Sequence, residues 1–245
     1  MEGPSLVLLK EELQPFKAKK INKASGSARI DHSALNGKRI KDFRSWGKHF
    51  LIVFDDLTIR IHFLMFGSYR VNERKDTTPR LLLEFDDGQE IGFYTTAVTT
   101  LEGDLDDIYD WSVDVMSDSW DPAKARRKLK KLPDLNVGDA LLEQSIFSGV
   151  GNIIKNEVLF RIEVHPQSVV GALPPRKLTE LINQARIYSF DFYEWKKVFQ
   201  LKKHWLIHTK RTCPRCKIPA IKEYTGVKKR RSFFCTNCQV LYAFD

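Results

Sequence analysis

The chain has 245 residues, with 40 Lys and Arg against 31 Asp and Glu, and a formal net charge of +9. Its hydrophobic content of 42 %, before Gly is counted, is typical of globular proteins and argues against intrinsic disorder. No apolar run approaches the ~20 residues of a membrane-spanning helix, and four Cys are too few for a secreted disulfide scaffold. We therefore expect a cytoplasmic protein with no membrane partner, and the excess of positive charge favours nucleic acid as a partner.

Apolar spacing in the first half of the chain predicts one helix followed by an antiparallel β domain. Four apolar residues recur on one helical face: Leu6, Leu9, Leu13 and Phe16. Residues 50–54 are apolar throughout and residues 57–63 alternate, patterns typical of a buried and a half-buried strand. Residues 80–85 and 89–94 flank Asp86-Asp87-Gly88, which predicts a hairpin.

The second half has the composition of a helical region that ends in a short, basic, Cys-bearing segment. Asp121 is expected to cap a helix that begins with Pro122. The predicted helices of this half span 122–131, 138–148, 152–160, 175–189 and 191–203. These changes of composition predict three domains, with residues 1–118, 119–210 and 211–245.

The four Cys form two pairs near the C-terminus. Cys213-x2-Cys216 is separated by 18 residues from Cys235-x2-Cys238. Two such pairs supply four thiolates to one tetrahedral, structural Zn²⁺, with iron in the same cage as the alternative. Residues 224–226 and 230–234, between the pairs, predict a hairpin with a basic tip that can dock against a phosphate backbone.

Five local motifs follow one another along the chain. They are Glu2-Gly3-Pro4, Trp46-Gly47-Lys48-His49-Phe50-Leu51, His62-Phe63-Leu64-Met65-Phe66-Gly67, residues 149–160 (GVGNIIKNEVLF) followed by His165-Pro166, and residues 230–239 (RRSFFCTNCQ). In this order they closely resemble the formamidopyrimidine-DNA glycosylase and endonuclease VIII family of bifunctional DNA repair enzymes. The resemblance covers nearly the whole chain, and its most specific parts are the Gly-x-Gly-Asn segment and the four-Cys finger.

The resemblance implies an α+β multidomain fold. An N-terminal helix and an antiparallel β-sandwich carry the active site, and a helical domain with a helix–two-turn–helix motif precedes the C-terminal zinc finger. The implied partner is double-stranded DNA containing oxidised bases or abasic sites, bound by a monomer. The expected location is a cytoplasm of bacterial type, where the protein is associated with the nucleoid through DNA. The damaged nucleotide is flipped out, because its sugar carbon is out of reach inside the stack.

The chemistry implied by the resemblance needs an amine at the N-terminus. An α-amine has a pKa of about 7.7–8, so a useful fraction is neutral and nucleophilic at pH 7. It attacks the sugar C1′, releases the base and forms a Schiff base, and β- and δ-elimination then break the strand. Glu2 is expected to protonate the opening sugar ring. Alternatively, Glu2 has a structural role only, as an acid in the first turn of the N-terminal helix, where the helix dipole favours negative charge.

The N-terminus departs from the family pattern, which starts Met-Pro-Glu-Gly-Pro and loses its Met. Here Met1 directly precedes Glu2 and occupies the nucleophile position. Three interpretations stay open. The primary amine of Met1 does the chemistry, a Pro was lost by engineering or by an error in the record, or the protein binds DNA without catalysis.

Further residues take roles through the resemblance alone. Lys48 matches a hairpin Lys that contacts phosphate and is linked to elimination, with an ordinary turn Lys as the alternative. Asn152 matches a phosphate-binding Asn at a helix N-terminus, a natural anion site, or is a plain helix N-cap. Glu157 is expected to support the turn structurally. Arg230 matches the Arg of the zinc finger that binds the phosphates beside the lesion, and Arg231 is the alternative for this role.

Two residues of the β domain complete the predicted DNA contacts. His62 is expected to contact a phosphate, or is a satisfied surface His. Met65 matches the residue that fills the hole left by the flipped base, a job that suits an apolar wedge, or else packs in the core. In the branch of the family that is specific for purines, two further residues fill the hole left by the flipped base, and residues 93–99 contain neither of them. Residues 185–212 contain no Gly-rich loop that could cover the lesion. Both departures favour the endonuclease VIII side of the family and oxidised pyrimidines.

Overall fold

The computed structural model describes residues 1–244 and divides into two compact units. The first unit comprises Met1 and Ser5–Tyr109, and the second comprises Glu2–Pro4 and the chain from Asp110 onward. The domain boundaries after residues 118 and 210 stay predictions. Within residues 1–244, each helix is too short or too polar to cross a membrane.

The first unit is an antiparallel β-sandwich that follows helix α1 (Gly3–Glu12). Its strands are β1 (Ile21–Ser25), β2 (Asp42–Trp46), β3 (His49–Val53), β4 (Thr58–His62), β5 (Ser68–Val71), β6 (Leu81–Phe85), β7 (Glu90–Tyr94) and β8 (Ala97–Leu101), and α2 (Leu105–Ile108) follows them. They form two four-stranded sheets, ordered β1-β6-β7-β5 and β2-β3-β4-β8. The predicted helix followed by an antiparallel β domain is confirmed.

One apolar core fills this unit. Leu6 and Leu9 of α1 are 0 % exposed, as is Leu13 directly after the helix, which confirms the predicted buried face although the helix ends at Glu12. Phe50 of β3 and Phe93 of β7 come from different sheets and belong to the same core, with ring centroids 6.2 Å apart. Each such side chain contributes roughly 1.5–3 kcal/mol on burial. The sandwich is therefore a rigid base for the loops at its edges.

The second unit contains four α-helices and a hairpin among the described residues. They are α3 (Pro122–Lys130), α4 (Val137–Leu141), α5 (Asn152–Arg161), α6 (Pro175–Lys197), β9 (Ile221–Thr225) and β10 (Arg230–Phe234). The carboxylate of Asp121 accepts hydrogen bonds from the main-chain N–H groups of Ala123 and Lys124, at 2.8 and 3.0 Å, which confirms the predicted cap of α3. The predicted hairpin between the Cys pairs is also confirmed, with Arg230 opposite Thr225.

Two predicted helix bounds are wrong. The helix predicted over 138–148 spans only Val137–Leu141, because the side chain of Gln144 donates to the carbonyls of Leu142 and Val150 and turns the chain. The break predicted at residue 190 is absent, since buried residues continue one face of α6 as far as Phe192. This helix ends at Lys197.

Candidate functional site

The α-amino group of Met1 lies in a positively charged part of the first unit. Its nitrogen donates to the carbonyl oxygen of Leu64 at 3.4 Å, and its side chain packs, partly buried, against the core of the sandwich. Burial lowers the pKa of His62, and the positive charges of the α-amino group, Lys48 and Arg60 lower it further. The structure therefore brings three predicted site residues, Met1, Lys48 and His62, within electrostatic reach of one another.

Lys48 lies in the two-residue turn between β2 and β3. Trp46 pairs with His49 across this hairpin, and Gly47 between them adopts a φ of +52°. A Gly with positive φ at the first loop position is typical of the type II′ turn, whose twist matches that of the strands. Gly47 therefore sets the direction of the loop that carries Lys48.

The loop after β4 presents three consecutive apolar side chains to solvent. Leu64, Met65 and Phe66 are 51 %, 71 % and 78 % exposed. Leu64 has a φ of +49°, and Gly67 closes the loop by donating to the carbonyl of Phe63 at 2.7 Å, in a position where a Cβ would overlap that carbonyl. The core-packing alternative for Met65 does not hold. Sequence reasoning missed Leu64 and Phe66, although the strand alternation ends here on a run of apolar residues.

An open cleft of about 390 Å³ adjoins Met1 in the same unit. Its lining includes Ser68, Tyr69, Arg70 and Glu73. The cleft therefore provides room and polar groups beside the Met1 side chain.

The carboxylate of Glu2 caps helix α5 of the second unit. Its Oε1 accepts from the N–H of Ile153 at 2.7 Å, and its Oε2 accepts from the N–H of Ile154 at 3.3 Å. The main chain beside it is also held, because the N–H of Gly3 donates to the carbonyl of Gly149 at 2.9 Å. Glu2 precedes α1 and is not a residue of its first turn, so the helix end that stabilises its charge is that of α5.

Gly151 makes room for this carboxylate. Gly151 is the N-cap residue of α5, and a Cβ at this position would overlap the Cγ and Cδ atoms of Glu2. Its φ of −117° is open to any residue, so the requirement for Gly is one of space. The Gly-x-Gly-Asn segment thus accommodates an anion from the chain itself.

Asn152 is the first residue of α5 rather than its N-cap. Its main-chain carbonyl accepts from the side-chain amide of Asn156 at 2.8 Å. Its side-chain Oδ1 is buried and has no hydrogen-bond partner among residues 1–244. A buried polar atom without a partner is unusual and fits a position that a ligand completes.

Three consecutive polar residues of α5 are buried against the C-terminal part of the chain. The carboxylate of Glu157 is 0 % exposed and accepts from the N–H groups of Leu206, Ile207 and His208 at 2.7–2.9 Å. It therefore supports the segment before the finger. Sequence reasoning missed Lys155 and Asn156, although three adjacent polar residues within an otherwise apolar helix are a detectable signal.

Lys155 and Asn156 fix strand β10 on α5. The Nζ of Lys155 donates to the hydroxyl of Ser232 at 2.8 Å and to the carbonyl of Arg231 at 3.2 Å. The Oδ1 of Asn156 accepts from the N–H of Phe233 at 3.1 Å. The strand that carries the basic residues of the finger is thereby bound at three successive positions.

The tip of the same hairpin is held by α4. The carboxylate of Asp139, which is 3 % exposed, accepts from the N–H of Val227 at 2.7 Å, and a Cβ on Gly226 would overlap it. The Nζ of Lys228 lies 3.0 Å from Oε2 of Glu143. The hairpin therefore has ordered anchors at its tip as well as along β10.

The two finger arginines differ in their surroundings. Arg231 donates to the hydroxyl of Tyr224 at 3.1 Å, across the hairpin. Arg230 is exposed, and after burial its positive charge is the next largest influence that lowers the pKa of Lys155. The contact with Tyr224 occupies part of the Arg231 guanidinium, which favours Arg230 over Arg231 as the phosphate contact.

The four Cys have the geometry of a metal site. Their sulfur atoms all lie within 4.8 Å of one another, and Cys213 Sγ is 3.8 Å from Cys238 Sγ. Zn–S bonds of about 2.3 Å in a tetrahedron place sulfurs about 3.8 Å apart. Burial and the neighbouring thiols raise the pKa of Cys238 to about 12, so the cluster needs a cation to hold it as thiolates. The residues therefore fit one tetrahedral metal ion.

Two family models match the chain. The model described as the formamidopyrimidine-DNA glycosylase N-terminal domain matches residues 9–96, and the model of the formamidopyrimidine-DNA glycosylase H2TH domain matches residues 112–187. The chain is 30 % identical over 238 residues to a formamidopyrimidine-DNA glycosylase of Lactobacillus helveticus (strain DPC 4571), covering 86 % of this chain and 84 % of that protein. The first half and the helical part of the chain thus match the same family.

A second relative is much longer than this chain. The chain is 30 % identical over 228 residues to endonuclease 8-like 3 of Xenopus laevis, covering 88 % of this chain but only 37 % of the length of that protein. Among solved structures, it is similar to Lactococcus lactis formamidopyrimidine-DNA glycosylase bound non-covalently to DNA containing an AP site. The TM-score is 0.85 at 21 % identity, over 98 % of this chain and 99 % of that one. This last likeness shows a shared fold.

Proposed function

The chain belongs to the formamidopyrimidine-DNA glycosylase family, and we propose that it is a bifunctional DNA glycosylase and AP lyase that removes oxidised bases, with oxidised pyrimidines as its preferred substrates. The observation that carries this proposal is the fixed carboxylate of Glu2, which two main-chain N–H groups of α5 hold directly after Met1. An acid and a primary amine on consecutive residues are the two groups that this chemistry needs.

In the proposed reaction the α-amino nitrogen of Met1 attacks C1′ of the flipped nucleotide. The bond from C1′ to the base breaks, and the base leaves with the electron pair. The Glu2 carboxylate takes a proton from the attacking amine and passes it to the ring oxygen as the sugar opens, which leaves a protonated Schiff base between Met1 and C1′. The positive charges of Lys48 and Arg60, which lie close enough to His62 to lower its pKa after burial has done so, attract the DNA phosphates.

DNA binding is assigned to groups from both units. Arg230, Asn152 and the turn residue Lys48 contact phosphates, with His62 and Arg231 as further contacts. Met65 enters the space left by the flipped nucleotide, a role that its 71 % exposure on a tight loop supports. A structural Zn²⁺ on the four Cys would hold the finger together and supply no step of the reaction.

The competing function is damaged-DNA binding without catalysis. The specific observation in its favour is Met1 itself, since a long side chain packed against the sandwich core stands where the family has Pro. The same packing also immobilises the residue. An immobilised amine is more easily held in line with C1′ at the distance of about 3–3.5 Å that the reaction requires. We therefore favour catalysis. A cytoplasmic location and a monomeric state are part of the same proposal.

Borohydride trapping on duplex DNA with a single abasic site separates the two functions. Borohydride reduces a Schiff base to a stable amine, so a catalytic protein becomes covalently linked to DNA and migrates as a cross-linked band in denaturing gels. The proposal predicts this band for the unaltered chain. A retarded band in native gels without a cross-link in denaturing gels would support binding alone.

A further inference from the structure

Lys155 is a buried cation that joins helix α5 to the finger strand. It is 1 % exposed, and its ammonium group donates to the Ser232 hydroxyl and the Arg231 carbonyl of β10. Ser232 is held in turn by Thr225 of β9, with 2.6 Å between the two hydroxyl oxygens. A buried charge is retained only where it is paired or hydrogen-bonded, and these two contacts hold β10 at Arg231 and Ser232, directly after Arg230.

Charged groups from every neighbouring element act on Lys155. Arg230 of β10 repels it, whereas Glu2 of the N-terminal segment and Asp139 of α4 attract it. His208, in the segment that Glu157 supports, is the fourth titratable neighbour, and burial together with Lys155 lowers its pKa to about 4, so it is neutral near pH 8. Burial is the largest influence on Lys155 itself and Arg230 is the next, and the balance of all these influences lowers its pKa to about 8.

We propose that Lys155 is a positioning residue for Arg230, and that binding of a DNA phosphate at Arg230 is linked to the uptake of a proton by Lys155. The proposal rests on the proposed function only in that the chain must bind DNA. A phosphate at Arg230 offsets the repulsion between Arg230 and Lys155 and adds a negative charge nearby. Both effects favour the ammonium form, so DNA binding draws a proton onto Lys155 and, by linkage, weakens as the pH rises above 8.

The expected proton uptake follows from the fraction of Lys155 that is already protonated in the free protein. At pH 8 a group with a pKa of about 8 is half protonated, so full protonation on binding takes up about half a proton per complex. Proton uptake by any other group is common to all variants at residue 155. The difference between variants at residue 155 is therefore the measured quantity.

Isothermal titration calorimetry at pH 8 measures this uptake. The probe is a duplex with a tetrahydrofuran abasic analogue, which cannot form a Schiff base, titrated in Tris and in HEPES because their ionisation enthalpies differ. Lys155→Arg keeps the positive charge at every usable pH. It is expected to bind within severalfold of the unaltered chain and to take up about half a proton less. Lys155→Met is expected to lose at least tenfold in affinity.

Two controls separate positioning from general damage. Lys177→Met removes another lysine of the second unit whose Nζ donates to a main-chain carbonyl, that of Ile162, and it is expected to change neither affinity nor uptake. Ser232→Ala removes the hydrogen-bond acceptor and no charge, so it is expected to weaken binding severalfold even if Lys155→Met fails to fold. Thermal unfolding and zinc content verify each variant.

The outcomes distinguish this inference from the proposed function. Equal proton uptake by the unaltered chain and Lys155→Arg would overturn the linkage, and unchanged affinity in Ser232→Ala and in folded Lys155→Met would overturn the positioning role. If the unaltered chain did not bind the duplex at all, the proposed function itself would fail.

Discussion

Replacing Gly151 by Ala is expected to displace the Glu2 carboxylate while leaving the backbone in place. The added methyl group would overlap Cγ and Cδ of Glu2, and the φ of −117° at residue 151 is as suitable for Ala as for Gly. The side chain of Glu2 is the part that must move, because it is the flexible partner in the overlap. The substitution therefore removes the proposed proton donor indirectly, without altering Glu2.

The size of the effect follows from the hydrogen bonds that are lost. The carboxylate accepts from the N–H groups of Ile153 and Ile154 at the N-terminus of α5. A hydrogen bond to a charged group contributes about 1.5–3 kcal/mol, but water replaces part of this at a helix end, so we expect a loss of about 1.5–3 kcal/mol in total. At roughly 2–4 °C per kcal/mol, the unfolding temperature of the second unit should fall by about 3–12 °C.

The assay is thermal unfolding together with the rate of base release from duplex DNA containing thymine glycol. Glu2→Gln is the matched control, because its amide oxygen still accepts from Ile153 while its proton-donor function is lost. Gly151→Ala should lose both stability and base release, whereas Glu2→Gln should lose base release with a smaller loss of stability. Wild-type base release in a Gly151→Ala protein would refute the assignment of Glu2 as the acid.

Three further predictions concern the finger and the N-terminus. Chelation of the metal, or Cys235→Ser, should abolish DNA affinity but preserve the unfolding transition of the sandwich, because the sandwich and the finger have separate cores. Loss of the unfolding transition together with DNA affinity would contradict this prediction. Arg230→Ala should weaken binding to all DNA sequences alike, because a phosphate contact carries no base information, and it should reduce the slope of log K against log salt by about 0.9. Arg231→Ala should change the slope less. An unchanged slope in Arg230→Ala would show that Arg230 does not contact a phosphate. Insertion of Pro between Met1 and Glu2 should raise base release from thymine-glycol DNA more than cleavage at preformed abasic sites, measured side by side; equal rates with and without Pro would mean that Met1 is not handicapped as a nucleophile.

Features set by residues close in sequence could be predicted. The two Cys-x2-Cys spacings each place two metal ligands side by side, so the metal site could be predicted. The hairpin between them could be predicted from the two strand-like segments and the basic turn. The buried face of α1 also follows from local periodicity. By contrast, the predicted break at residue 190 was wrong, since the apolar face of α6 continues through Tyr188 and Phe192.

The contacts that order the candidate site are long-range, and local patterns do not contain them. Glu2 caps a helix that begins 150 residues later in the chain, with 151 positions separating it from Ile153. Lys155 reaches Ser232, which is 77 positions away. The motif residues were therefore recognisable, but the cap made by Glu2 and the bridge made by Lys155 emerge only once the chain is folded.

The central claim is that the α-amino group of Met1 is the nucleophile, and peptide mapping of the borohydride-trapped complex tests it most directly. After nuclease and protease digestion, mass spectrometry locates the residue that carries the reduced sugar fragment. The account predicts the added mass on the α-amine of the N-terminal peptide that starts with Met1. An adduct on Lys48, the other amine close to His62, would contradict it, as would the absence of any trapped peptide from a protein that binds the same DNA.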